Sequence, residues 1–232
     1  MPSESHFEHP LDRVVWLSLT TGHSNWVEGN DLVKRYPSDM APFHAMRDDS
    51  SASFAMLARI SSPEHAVALL TTKPLSIPDQ FEVLYQKTLD QMLGPTSKSS
   101  VDRAGIELLG PEDQPAMLEL VSVTKPGPFA ARTNLTGSYF GFRDGKRLVA
   151  MTGERMKPAG FTEMSAVCVH PDARGRGYAA RLLQHVANLA IEGGDRPFLH
   201  VLDDNHSAIA LYRKCGFTLR RQMCLAVLKK RA

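Results

Sequence analysis

Apolar positions in the second half of the chain change their period from segment to segment, and the changes mark out its elements. An apolar run from Met164 to Val169 stops at His170-Pro171. After a short loop with two glycines, apolar residues recur at Tyr178, Leu182, Leu183, Val186, Leu189 and Ala190. That order predicts a strand over 161–169, a Gly-rich turn, and an amphipathic helix over 178–192 closed by Gly193-Gly194. Upstream, 105–109 reads as a strand. Pro111-Glu-Asp-Gln opens a helix carrying Met117, Leu118 and Val121, and Lys125-Pro-Gly-Pro128 ends it. Residues 129–135 form a short helix or loop. Tyr139 to Phe142 and Leu148 to Met151, joined through Asp144-Gly145, predict a hairpin. Downstream, 198–202 is a strand, 206–214 a helix closed by Gly216, and 217–228 a terminal β segment. Strands with helices inserted at three points indicate a mixed α/β sheet.

The first hundred residues are less regular. Residues 1–10 read as a polar tail, 14–19 as a strand or short helix, and 20–31 as turn-rich. Phe54, Leu57 and Ala58 share one face of a helix predicted over 53–60, and 66–71 is a short buried strand. Phe81, Leu84, Tyr85, Leu89 and Met92 recur at three and four, so 80–93 is predicted to be a second helix. Gly94-Pro-Thr-Ser-Lys-Ser-Ser100 has the composition of a linker. It divides the chain into 1–100, an N-terminal α/β subdomain of unassigned role, and a second domain over 101–232.

Composition narrows the class. With 232 residues, 43% of them hydrophobic, the chain can bury a core as one large domain or two small ones. No apolar run approaches the roughly 20 residues of a membrane span. The first residues lack the basic and apolar regions of a secretory signal. The expectation is a cytoplasmic protein with no membrane partner. Cys168, Cys215 and Cys224 suit a reducing compartment, and their spacing suggests neither a metal site nor a disulfide framework. His23 and His44 have no ligand-like spacing either and read as ordinary loop or core histidines. Net charge is +2, but from Arg174 onward 11 Lys and Arg stand against 4 Asp and Glu. A basic C-terminal third suits a polyanionic small ligand. No nucleic-acid-reading element is evident, so no nucleic-acid partner is expected.

The loop between strand and helix carries the candidate chemistry. Turns of this kind aim several backbone N–H groups, and the positive end of a helix, at one point where phosphate fits. Gly175 and Gly177 remove side chains that would hold an anion off the backbone, and Arg174 and Arg176 add charge. A Walker loop is excluded because no Gly-Lys-Ser/Thr follows, and the third glycine of the dinucleotide fingerprint is missing. Arg174-x-x-Gly177-x-Ala179 after an apolar strand resembles the pyrophosphate loop of the GNAT acetyltransferase superfamily. The later block Asn205-His-Ser-Ala208-Ile-Ala-Leu211-Tyr212-Arg-Lys-Cys-Gly216-Phe217 resembles that superfamily's Asn-x-x-Ala-x-x-Leu-Tyr-x-x-x-Gly-Phe. Order and separation agree, and the resemblance covers Ile106 to the C-terminus. The run Thr162-Glu-x-Ser-Ala-Val-Cys-x-His-Pro171 most resembles the branch containing glycine N-acyltransferase-like proteins. The implied fold is a GNAT-like mixed, splayed β-sheet flanked by helices. A degenerate half-copy of the same fold is one reading of residues 1–100.

The resemblance implies transfer of an acetyl group from acetyl-CoA to a primary amine of a small molecule or amino acid, by direct attack in a ternary complex. It puts the pyrophosphate on the N–H groups of Arg174, Gly175, Arg176, Gly177, Tyr178 and Ala179. It puts the pantetheine arm along the strand edge of Val167, Cys168 and Val169. Asn205 either donates its amide to that arm or caps the helix that follows. Glu163, eleven residues before Arg174, is the implied general base, facing the cleft and acting directly or through a water. The alternative is a strand-end Glu in solvent, with Glu154 as the substitute base. His170, at the loop edge, reads as structural. Tyr212 is the implied acid for the departing thiolate, with a packed core tyrosine as the alternative. The acceptor amine is implied to lie against 125–132, where Phe129 and Arg132 would line its pocket and Arg132 would suit a carboxylate. A different class stays open: a protein that binds acyl-CoA without turnover, its N-terminal piece serving a partner. The oligomeric state is open too, with a homodimer as one arrangement.

Overall fold

A computed structural model describes residues 9–231; residues 1–8, most of the expected polar tail, lie outside the described residues. Pro10–Arg13 is a 3-10 turn in which the His9 side chain accepts from the Leu11 N–H. It leads into α1 (Val14–Thr20), so the apolar stretch at 14–19 is helical.

Four short strands follow: β1 (Glu28–Gly29), β2 (Val33–Arg35), β3 (Phe43–Met46) and β4 (Val67–Thr71). The helix predicted near 53–60 is α2 (Ser51–Ile60), with Ser50 as N-cap accepting from the Ser53 N–H. The second half follows the predicted grammar closely. It runs β6 (Glu107–Leu109), α3 (Gln114–Thr124), β7 (Tyr139–Asp144), β8 (Arg147–Glu154), β9 (Phe161–Val169), α4 (Tyr178–Glu192), β10 (Arg196–Leu202), α5 (His206–Lys214) and β11 (Thr218–Lys230).

The segment predicted as a second helix is instead a 13-residue strand, β5 (Phe81–Leu93). The misreading has a physical cause. Leu89 to Met92 are buried on both faces, whereas Glu82 to Lys87 are exposed on both, so no period-2 alternation marks the strand. What holds it extended is pairing with β11 along its whole length and with β10 over Leu89–Leu93.

Among the described residues the strands form one mixed sheet in the order β1-β2-β3-β4-β11-β5-β10-β9-β8-β7-β6. The Gly94–Ser100 segment therefore does not separate two sheets: β5, which precedes it, lies between β10 and β11, which follow it. Nor is it a loose tether. Ser99 exchanges hydrogen bonds with the Asn188 side chain on α4 (3.0 and 2.8 Å), and Lys98 pairs with Glu192.

Helices cover both faces. α4 and α5 pack Leu183, Val186, Ile209 and Tyr212 against Met164, Leu199 and Val201. Leu182, Leu183 and Val186 are fully buried, and each such side chain contributes about 1.5–3 kcal/mol. α3 packs Met117 and Leu120 against Tyr139, Met151, Ala166 and Cys168. α1 lays Val14, Val15 and Leu19 over Phe43, Leu70, Phe198 and Met223.

Candidate active site

The sheet opens at its centre. β9 and β10 run parallel but are paired only from Phe161 to Glu163, opposite Arg196 to Phe198. Beyond that point β9 continues bonded to β8 alone and β10 to β5 alone, so residues 164–169 and 199–202 face each other across a gap. A β-bulge sits at the start of the gap. Ala166 and Val167 together oppose Thr152, and Ala166 takes a left-handed φ of 52°. Regular alternation would put 164, 166 and 168 on one face. The bulge sends Met164 to the α4–α5 side and Ala166 and Cys168 to the α3 side.

The edge residues differ in what they offer the gap. His170 N–H donates to Val149 O, and Val169 opposes Ala150, so the Val169 peptide groups point away from β8 into the gap. Alternation places Val167 likewise and turns Cys168 toward β8. The Cys168 side chain is core, and burial pushes its thiol up to about 11.

At the far end of β9 the chain makes a 3-10 turn, Pro171–Ala173, capped by His170, which confirms a structural place for that histidine. Gly175 (φ 79°) and Gly177 (φ 76°) then turn the backbone into α4. A side chain at either glycine would meet nothing, so the loop surface is bare. The N–H groups of Gly175 through Ala180 donate to no protein acceptor among the described residues. Arg174 and Arg176 flank them; Arg176 lies 3.8 Å from Asp144, and both of those side chains are exposed. Tyr178 stacks on Phe142 at 4.3 Å and anchors the helix start. A bare loop with free N–H groups and an open strand edge leading away from it are features that fit the pyrophosphate and arm of coenzyme A.

Glu163 stands where the sequence placed it but does not face an open cleft. It is fully buried, and its two oxygens take Arg155 Nε and Nη2 at 2.9 and 2.8 Å. His200 Nδ1 lies 2.7 Å from the same carboxylate. The Gln91 amide donates to His200 Nε2 at 2.9 Å, so the ring proton sits on Nδ1 and goes to Glu163. Gln91 Oε1 accepts from Arg220, which with Arg221 holds Asp12. Burial alone would raise the Glu163 pKa, but Arg155 and His200 outweigh it and bring it to about 2. A carboxylate so committed is a weak base, and it is buried rather than facing the cleft as expected. Glu154 is equally engaged, accepting from Ser138 N–H at 3.0 Å and pairing with Lys157 at 2.8 Å. Sequence reading missed Arg155, His200, Gln91 and Asp12; they are far apart in sequence and meet only in the folded chain.

Tyr212 lies on α5 among Leu183, Leu199 and Phe217, 8% exposed, its hydroxyl without a partner among the described residues. Burial pushes its pKa up to about 12, so it stays protonated at neutral pH. Asn205 caps α5: Oδ1 accepts from Ala208 N–H at 3.2 Å and from Ser207 Oγ at 3.1 Å. Its amide N–H groups have no acceptor among the described residues, so capping leaves them free to donate. Phe129 packs edge-on against Tyr139, with ring centroids 5.7 Å apart. Arg132 is tied to the N-terminal half. Its guanidinium meets Asp39 at 3.2 Å over the Trp26 ring, and its N–H donates to Asp39 O. Asp39 occupies Nη1 of the guanidinium alone, and both side chains are exposed.

A family model of FR47-like proteins matches residues 139–226, the stretch that builds the gap, the loop and Tyr212. The N-alpha-acetyltransferase RimI of Mycobacterium tuberculosis is 37% identical over 83 residues, 34% of this chain and 51% of that protein. The uncharacterized protein ML0378 of Mycobacterium leprae is 37% identical over 101 residues, 40% of this chain and 27% of that protein. The chain thus spans about half or less of the length of these curated relatives. A solved structure, a putative acetyltransferase from the GNAT family of Novosphingobium aromaticivorans, is similar throughout. It is 36% identical, with a TM-score of 0.91, over 97% of this chain and all of that one. With loop, splayed strands and whole-length similarity in agreement, the chain belongs to the GNAT family of acetyltransferases.

Proposed function

We propose that this protein transfers an acetyl group from acetyl-CoA to a primary amine of a small molecule, donor and amine being bound together. The observation that carries the reading is the gap between β9 and β10, which runs from a bare, N–H-rich loop at one end to Glu163 at the other. The N–H groups of Gly175 to Ala179, with Arg174 and Arg176, would hold the pyrophosphate. The peptide edges of Val167 and Val169 would pair with the pantetheine amides as an added strand does. The Asn205 amide would donate to the same arm. When bound, acetyl-CoA supplies the acyl group as an activated thioester.

Tyr212 keeps its proton at neutral pH and would hold it ready for the departing sulfur. Glu163 is assigned a positioning role: it holds Arg155 and His200 in place beneath the gap. Deprotonation of the amine is therefore assigned to water. The rate should follow the amine's own ionisation, with no limb from Glu163 near neutral pH. RimI is named an N-alpha-acetyltransferase, and a peptide's free α-amino group is the alternative acceptor the assay must include.

The test is thiol release from acetyl-CoA with a panel of small amines and of peptides with free N-termini. Turnover with small amines supports the reading. Turnover with peptides alone moves the acceptor to protein. Acetyl-CoA binding without turnover on either panel would make the chain a non-catalytic acyl-CoA binder.

A further inference from the structure

We infer that two copies of this chain join through the open edge of β5, Glu82 to Lys87 of one copy running antiparallel to the same segment of the other. β5 pairs with β11 along its whole length, but β10 covers its other edge only over Leu89–Leu93. From Glu82 to Thr88 that edge has one backbone partner among the described residues: Thr88 O accepts from Asp203 N–H at 3.2 Å. All six side chains from Glu82 to Lys87 are exposed, Val83, Leu84 and Tyr85 by 44%, 45% and 49%. An open strand edge with exposed apolar side chains is a template for another strand.

The segment is complementary to itself. Its order is Glu-Val-Leu-Tyr-Gln-Lys. A two-fold axis between Leu84 and Tyr85 sets Glu82 opposite Lys87 of the second copy and Lys87 opposite its Glu82. Val83 then faces Gln86, and Leu84 faces Tyr85. Opposite charges directly across an antiparallel pair are favourable, and symmetry makes the contact twice. A shift of one residue either way loses both pairs. The two charges also share a face. Lys87 opposes Leu225 and Glu82 opposes Lys229 on β11, four residues apart and so on the same side of the sheet. Lys87 now lies 3.6 Å from Asp204, but both side chains are exposed, and such a pair contributes little.

The backbone selects the same register. The Thr88 bond to Asp203 turns residue 88 away from β11, and alternation turns Gln86 the same way. At the other end Gln80 O accepts from Arg231 N–H, toward the β11 side, so alternation turns Val83 outward. Val83 and Gln86 are the residues that the axis sets opposite each other, each able to give and take a backbone hydrogen bond. Between them β5 carries a bulge: Tyr85 opposes Val227 and Val83 opposes Leu228, with Leu84 the extra residue. A bulge on an edge ordinarily discourages pairing. Here the axis passes beside it, so the bulges of the two copies face each other and the register holds across them. One strand pair is a small interface, so the dimer is reversible.

The test is sedimentation velocity on the full chain across a range of concentrations, which should show a reversible monomer–dimer equilibrium. Glu82→Lys or Lys87→Glu alone sets like charges across the axis twice and should raise the dimer Kd about ten-fold. Glu82→Lys combined with Lys87→Glu in one chain restores opposite charges and should restore the wild-type Kd, a rescue that misfolding cannot mimic. Gln86→Pro removes an outward N–H that β11 does not use, so it should abolish the dimer while the chain keeps its cooperative melt. Amide exchange at Val83 and Gln86 should slow as concentration rises. A monomer at every concentration, a dimer that the single reversals leave unchanged, or a double reversal that fails to restore it would overturn the assignment. No acetyl-CoA is present in these measurements, so their result stands apart from the acyltransferase reading.

Discussion

At the residue scale, the account turns on a carboxylate that is present but engaged. The place of Glu163 was legible, because its offset from the loop arginine can be counted along the chain. Its partners were not, because Arg155 follows the end of β8 and His200 comes from β10, where Gln91 of β5 holds it. Arg155 lies eight residues upstream, His200 is 37 downstream, and Gln91 sits on a segment that reads as helix. Glu163→Gln should therefore act on stability first. Breaking a buried pair while leaving Arg155 uncompensated costs about 3–5 kcal/mol, measurable as a lower urea midpoint. The pH dependence has a definite sign. The folded pKa, about 2, lies below the ordinary 4.5. The stabilisation is thus complete above that ordinary value and is lost as pH falls through the window toward 2. The wild type should lose stability there, and Glu163→Gln should lose less. Tyr212→Phe makes the opposite prediction. Its hydroxyl has no partner among the described residues, so Tm should hold while kcat drops roughly 100-fold, the lower end for a proton donor. An unchanged kcat would remove Tyr212 from the reaction.

At the scale of elements, the strands and helices after residue 105 were legible because each carries a clean period and a turn residue at its end. Gly193-Gly194 closes α4, and Gly145 forms the β7–β8 turn. β5 was not legible. Its burial changes along its length from two-sided exposure to two-sided burial, and only its partners β10 and β11 make it a strand. That placement yields a prediction. Residues 101–232 expressed alone lack the strand between β10 and β11, and should show no cooperative thermal transition. A cooperative melt would mean that β5 is dispensable. The loop gives another. At Gly177, φ is 76°, where any other residue is strained by about 1–2 kcal/mol. Gly177→Ala should lower Tm by a few degrees and raise the Kd for acetyl-CoA. Loss of Tm without loss of affinity would separate the turn from the ligand.

At the scale of the whole molecule, a single sheet crosses both halves of the chain and parts between β9 and β10. The basic residues gather in the half that contains the loop, so the field near the gap favours a polyanion. The central claim is that this gap and loop hold acetyl-CoA, and a thermal shift with acetyl-CoA, CoA, ATP and NAD in parallel tests it most directly. At a hundred times Kd a ligand stabilises the fold by about 2.7 kcal/mol, and a chain of this size gains roughly 2–4 °C per kcal/mol. The account predicts a rise of several degrees with acetyl-CoA and CoA, and none with ATP or NAD. No rise with either thioester or thiol, or an equal rise with ATP, would contradict it.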